Sequence, residues 1–389
     1  MENTRHALWR RIPIEWYLIA LSTGLTLFVL YRFGLNIFVA SGILSKAVLF
    51  VYLFGGSFFV VAIFLLDFYC IGRFISILAN AWLDGDKASR RNVIRMLGQY
   101  AILIVSLAVA VFDLGAMDGV VDNIWQSQKI ITASNALSAV DLHVIGGYPM
   151  VLLGNFFARY GGAFLSIGAY NLMTVLMSLF LIYALFYKQS LARRFLLFFF
   201  ITQAIAFPLW FAVPALSPYN FYTGGVSPQD VSASVMTQFS AYHPSGILMT
   251  ELNGAEHRQA AAGSGYRDLT NFPSMHAAWG AGLVYFGIAA FGVTAAYILV
   301  PWFIFEMAGA LYLGEHYAVD LIAGILVAYA ALWITNRLLN LEKRYYRGKA
   351  PTAIFILLHE DAEWLKKCAG EAWHRTCAII QKLRTIRSF

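Results

Sequence analysis

Two histidines forty residues apart, His276 and His316, stand where long apolar runs begin. The first lies in "NFPSMHAAWG", Asn271 to Gly280, behind a turn-forming Pro-Ser, and the second in "YLGEHYAVDLIAG", Tyr312 to Gly324. Asp320 follows His316 by four residues. On a helix beginning near His316 the two share one face, and the carboxylate hydrogen-bonds the imidazole. That pairing fixes the tautomer, leaves the other ring nitrogen free to attack, and stabilises the positive charge that develops as it does so. With His316 attacking phosphorus, His276 is placed to protonate the departing oxygen or to activate an acceptor.

The elements that must hold these groups are membrane helices. Of 389 residues, 60% are hydrophobic and 13% charged, fewer charges than a soluble domain carries. Apolar runs of the roughly 20 residues needed to cross a bilayer recur along the chain. They place spans at 14–40, 47–71, 96–116, 163–187, 195–213, 275–293, 294–314 and 317–338. The expected fold is all-α, a polytopic transmembrane bundle of about eight spans. The net charge of +7 does not imply nucleic acid, because with the N-terminus inside, 22 of the 28 Lys and Arg fall on one side of the membrane. Cys70, Cys368 and Cys377 fall on that side too, where thiols stay reduced, so no disulfide is expected. The first apolar segment has no small-residue cleavage site and reads as a retained helix.

This topology brings both histidines to the outer face, at the depth of lipid headgroups. Segment 117–162 opens polar and turns apolar from Val144 to Phe157, a re-entrant or interfacial piece on the outer side. The loop 214–274, rich in Ser, Gly, Pro, Asn and Tyr, is also outside. Phe74 to Arg95 and the tail from about Asp361 to Ile386 read as inner-leaflet segments, the tail pairing apolar residues at helical spacing with a basic face. Three regions follow: 1–95 with two helices and a cytoplasmic amphipathic segment; 96–338, a six-helix core with outer loops 117–162 and 214–274; and 339–389, a basic cytoplasmic tail offering a surface to a partner subunit or anionic lipid.

These stretches resemble the signature of the type 2 phosphatidic acid phosphatase superfamily of lipid phosphatases and phosphotransferases, whose usual motifs are K-x6-R-P, P-S-x-H and S-R-x5-H-x3-D. P-S-x-H maps onto Pro273, Ser274 and His276, and H-x3-D onto His316 and Asp320. The resemblance covers about 96 to 338. It implies that His316 forms a phosphohistidine, Asp320 orients it, and His276 serves as acid and base. Two departures stand out. Gly309 and Ala310 occupy the S-R positions, and no K-x6-R-P occurs. In its place "FAVPALSPYNFY", Phe211 to Tyr222, resembles the Pro-rich first motif of a branch that includes the inositol phosphorylceramide synthases, with sphingomyelin synthases as more distant relatives.

Loss of two cationic clamps favours a phosphodiester, with one charge to compensate, over a phosphomonoester dianion. Arg267 in the outer loop is the nearest cationic substitute, set against an interfacial arginine paired with Asp268. Tyr219, Asn220 and Tyr222 are headgroup-binding candidates or membrane anchors. Ser274 is a phosphate ligand or a helix cap. Glu306, inside an apolar run, is a functional candidate or a carboxyl bonded to a neighbouring helix at Gln203 or Asn171. His143, His243 and His257 lack metal-ligand spacing, and neither a metal nor a cofactor is expected.

The leading expectation is a lipid phosphotransferase. It moves a phosphoryl-headgroup from a lipid or polyprenol phosphodiester to an acceptor alcohol at the extracytoplasmic face. The alternatives are a phosphatase of lipid or isoprenoid phosphates, with water as acceptor, and a transporter or scramblase, which the lack of inverted repeats disfavours.

Overall fold

The computed structural model describes residues 127–223 and 272–345, with isolated positions between 14 and 32 and between 233 and 238. The expected spans 47–71 and 96–116, most of 14–40, the segment from Phe74 to Arg95, Arg267, the three cysteines and the basic tail lie outside the described residues. The described part is all-helical: α1 (Ser127–Ile145), α2 (Pro149–Tyr160), α3 (Ala163–Tyr187), α4 (Gln189–Ala212), α5 (Pro218–Thr223), α6 (Met275–Phe291), α7 (Ala296–Tyr312) and α8 (Ala318–Tyr345).

Five of these helices fall where apolar length placed spans 163–187 through 317–338. By length and composition, Ser190–Ala212, Val293–Tyr312 and Ala318–Tyr345 can each cross a membrane. The count rises to five if two bent pairs are each one span, and α6 is a shorter apolar helix. Large apolar side chains point outward along the bundle, among them Tyr297, Ile298, Tyr329 and Trp333. That exposure is compatible with lipid as the surrounding solvent. The region expected as an outer loop, 117–162, is helical from Ser127 on. Its two helices, α1 and α2, meet at a 49° bend. Gly146, at φ 78°, sits at the break, and Pro149 opens the next helix, where a missing N–H costs nothing.

Inside the bundle α3 packs on α7, and α8 packs on both α4 and α6. An aromatic seam fills the centre: the Phe286 ring lies 5.4 Å from that of Phe195 and 5.5 Å from that of Phe198. Two glycines set the helix spacing. A methyl at Gly309 of α7 would run into the Ser166 carbonyl of α3, and one at Gly324 of α8 would meet the Ser274 carbonyl and Ala277. Backbones approach this closely only where no side chain intervenes. A 3₁₀ turn, Val293–Ala295, reverses the chain between α6 and α7 after Gly292 at φ 85°. His276, at the start of α6, and His316, just before α8, therefore emerge at one end of the bundle.

Gly324→Ala should push α6 from α8, lower stability by about 1–3 kcal/mol and reduce activity. Gly168→Ala, where a methyl meets nothing within 4 Å, should do neither. Thermal unfolding of both variants in detergent, beside their turnover, checks the contrast.

Candidate active site

His316 lies in the turn between α7 and α8. Gly314, at φ 71°, ends α7, and its carbonyl accepts the Tyr219 N–H of α5 at 2.9 Å. Helix α8 begins at Ala318, so His316 precedes it by two residues rather than sharing its face with Asp320. The expected hydrogen bond is replaced by a looser contact. His316 Nδ1 and Asp320 Oδ2 are 3.7 Å apart, within ion-pair range but longer than a hydrogen bond. Asp320 Oδ2 instead accepts the Tyr317 N–H at 2.9 Å, reaching back from the first turn as a helix-starting carboxylate does. Nδ1 and Asp320 Oδ1 have no hydrogen-bond partner among the described residues. A small rotation of either side chain closes the pair.

His276 occupies the first turn of α6. Its ring stacks on Tyr170 at 4.5 Å and stands 5.7 Å from the His316 ring. Ser274 is fully buried, and its Oγ caps α6 by accepting the Ala277 N–H at 3.3 Å. The Ser274 N–H in turn donates to the Asp320 carbonyl at 3.1 Å, which ties the two histidine-bearing segments together.

A further residue of the site carried no local sequence signal. Asp141 of α1 is buried, and its two oxygens accept the Ala318 N–H at 2.8 Å and the Val319 N–H at 3.0 Å. Those amides open α8 and have no partner within their own helix. Asp141 and Asp320 thus divide the helix start between them, and His316 is held in the turn they fix.

A family model described as the PAP2 superfamily matches residues 136–334, just over half the chain. The chain belongs to the PAP2 superfamily. No curated protein and no solved structure matched it. The matched region starts within α1 and so includes Asp141 as well as both histidines. Membership makes this chain an enzyme of the phosphatase or phosphotransferase type.

For a PAP2 chain, the positions where the S-R pair is expected have a physical explanation. Gly309 touches the α3 backbone, and Ala310 is wholly buried beside Ala277 and Leu321. A side chain at 309 would separate α3 from α7, and an arginine at 310 would push α7 from α6 and α8. The other candidates are placed unevenly. Tyr222 is buried, its hydroxyl 2.6 Å from Ser138 Oγ, and together with Ser138, Asp141, Tyr148 and Tyr317 it lines a cleft that reaches His316. Burial raises the Tyr222 phenol above its ordinary value, so it remains a neutral hydroxyl. Tyr219 and Asn220 share α5 with Tyr222 but do not line the cleft. Glu306 is fully buried beside Gly280, one turn along α6 from His276, and also away from the cleft. Neither of its oxygens bonds Gln203 or Asn171. Asn171 donates to the Ile167 carbonyl, and Gln203 Nε2 has no partner among the described residues.

Asp141→Asn presents an NH₂ to one of the two α8 amides. It should cost about 1–3 kcal/mol and lower kcat roughly tenfold or more by loosening His316. Steady-state kinetics on variants with matched thermal stability check this. A change in KM alone would mean that Asp141 does not position the reacting turn.

Proposed function

We propose that this PAP2 chain is an integral membrane lipid phosphotransferase that works through a phosphohistidine at His316. The observation that carries the reading is the arrangement of two imidazoles 5.7 Å apart at one end of the bundle, with Asp320 behind the Nδ1 of one of them. Nε2 of His316 attacks phosphorus while the bond to the leaving oxygen breaks, and His276 gives that oxygen its proton. In the second step His276 takes the proton of an acceptor hydroxyl. The hydroxyl oxygen attacks phosphorus, and the N–P bond breaks to restore His316.

A diester rather than a monoester substrate is supported by the packing at Gly309 and Ala310, which leaves no room for an arginine clamp. The donor is a lipid or polyprenol phosphodiester and the acceptor an alcohol. Arg267, Tyr219, Asn220 and Ser274 remain candidates for holding the substrate, with Ser274 acting through its cap. The active end faces the extracytoplasmic side. That orientation is supported by Arg193, which pairs with Glu342 at 2.8 Å near the far end of α8. Lys188 and Arg194 lie on the same hairpin, so the basic residues collect opposite the histidines. The six-helix core at 96–338 carries the chemistry, while 1–95 and the basic tail serve partner or anionic-lipid binding.

Purified protein should make a new phospholipid only when donor and acceptor are both supplied, and His316→Ala should cut that turnover by roughly a thousandfold or more. Mass spectrometry of the lipid products reads both. Release of inorganic phosphate without acceptor would establish hydrolysis instead. Full activity in a folded His316→Ala protein would remove the covalent route.

A further inference from the structure

Helix α3 carries none of the three reacting residues, yet it sends one side chain to the end of the bundle where the histidines emerge. The Tyr170 ring is stacked on the His276 imidazole, 4.5 Å between centroids and 22° from parallel. The His316 ring stands 5.7 Å from His276 at 60°. Of these two neighbours, Tyr170 is the one that lies flat on the imidazole.

The seat of Tyr170 is built from the two small residues at the S-R positions. A methyl at Gly309 would come within 3.0 Å of the Tyr170 Cβ, besides striking the Ser166 carbonyl. Tyr170 also packs against the cluster of Ala277, Ala310 and Leu321, drawn from α6, α7 and α8. Four helices therefore meet at one tyrosine, and such packing leaves its side chain little freedom.

A histidine that gives a proton in one step and takes one in the next must keep the same nitrogen aimed at the same oxygen position throughout. A flat aromatic neighbour supplies that constraint, because turning the imidazole out of the stack forfeits the contact. The negative face of the phenol ring also lies against an imidazole that is positively charged whenever it holds the transferred proton.

Resting on the assignment of His276 as acid and base in the transferase reading, we infer that Tyr170 is the positioning residue of His276, its ring face holding the imidazole in the orientation that serves the leaving and the attacking oxygen. Tyr170 acts through His276, and the role belongs to the ring. Phenylalanine fulfils it, and leucine, apolar but without a π face, does not.

The test compares the full-length wild type, Tyr170→Phe and Tyr170→Leu in nanodiscs by two readouts. In the first, diethyl pyrocarbonate is added and the modification of His276 and of His316 is followed separately by mass spectrometry of their peptides. Tyr170→Leu should raise the His276 rate severalfold and leave His316 as in the wild type, while Tyr170→Phe should change neither. Because this labelling needs no substrate, it decides the placement whatever donor the protein accepts. The second is transfer from a mixture of phosphatidylethanolamine, phosphatidylglycerol and phosphatidylinositol to isotope-labelled diacylglycerol. Tyr170→Leu should lower kcat about tenfold or more with KM for the acceptor unchanged, and Tyr170→Phe should keep wild-type kcat. Equal His276 labelling in Tyr170→Leu and the wild type would overturn the inference. Rates that rise together at both histidines would overturn it too, by making Tyr170 a packing residue, as would a Tyr170→Phe protein as impaired as Tyr170→Leu. An inactive His276→Ala beside a fully active Tyr170→Leu would sink the inference and leave the transferase reading standing. Full turnover in His276→Ala would remove the acid–base assignment on which both rest.

Discussion

A helix that begins inside a protein must find partners for its first amides, because no water is there to take them. In α8 that need is met by two carboxylates from different parts of the chain. Asp141 takes the amides of Ala318 and Val319, and Asp320 takes that of Tyr317. The candidate site hangs on this junction. His316 is two residues upstream, and the Ser274 N–H that donates to the Asp320 carbonyl fixes where α6 and His276 begin. Moving the start of α8 would therefore move both imidazoles together.

The junction works because the helices around it are allowed to come very close. Gly324 lets α8 rest on the Ser274 carbonyl, and Gly309 lets α7 rest on the Ser166 carbonyl. Close packing and electrostatics are linked at that point. Gly309, which lets α3 and α7 touch, and Ala310, packed against α6 and α8, occupy the places where a PAP2-like motif is expected to put Ser and Arg. The site gives up a fixed cation and gains rigidity.

Much of this was legible in the sequence. The helices at 163–187, 195–213, 275–293, 294–314 and 317–338 stood out because long uninterrupted apolar runs are a strong signal. The pairing of His276 with His316 followed from counting crossings. The His316–Asp320 relation was read one step too simply. A four-residue spacing implies a shared helical face only if both residues are helical, and Gly314 ends α7 early enough to leave His316 in a turn. For α1 and α2 the sequence indicated only a re-entrant or interfacial piece, because Ser134, Asn135, Ser138 and Asp141 dilute the apolar pattern and Gly146 breaks it. Asp141 could not be found at all, since its partners lie 177 and 178 residues away and only packing brings them together.

The most direct test of the account is to trap the covalent intermediate. Wild-type protein would be mixed with a diester donor in the absence of acceptor, quenched at alkaline pH where phosphohistidine survives, digested and read by mass spectrometry. The account predicts a peptide in which His316 carries the mass of the phosphoryl-headgroup. An unmodified His316 in protein that turns over normally once acceptor is added, or the adduct on another residue, would contradict it.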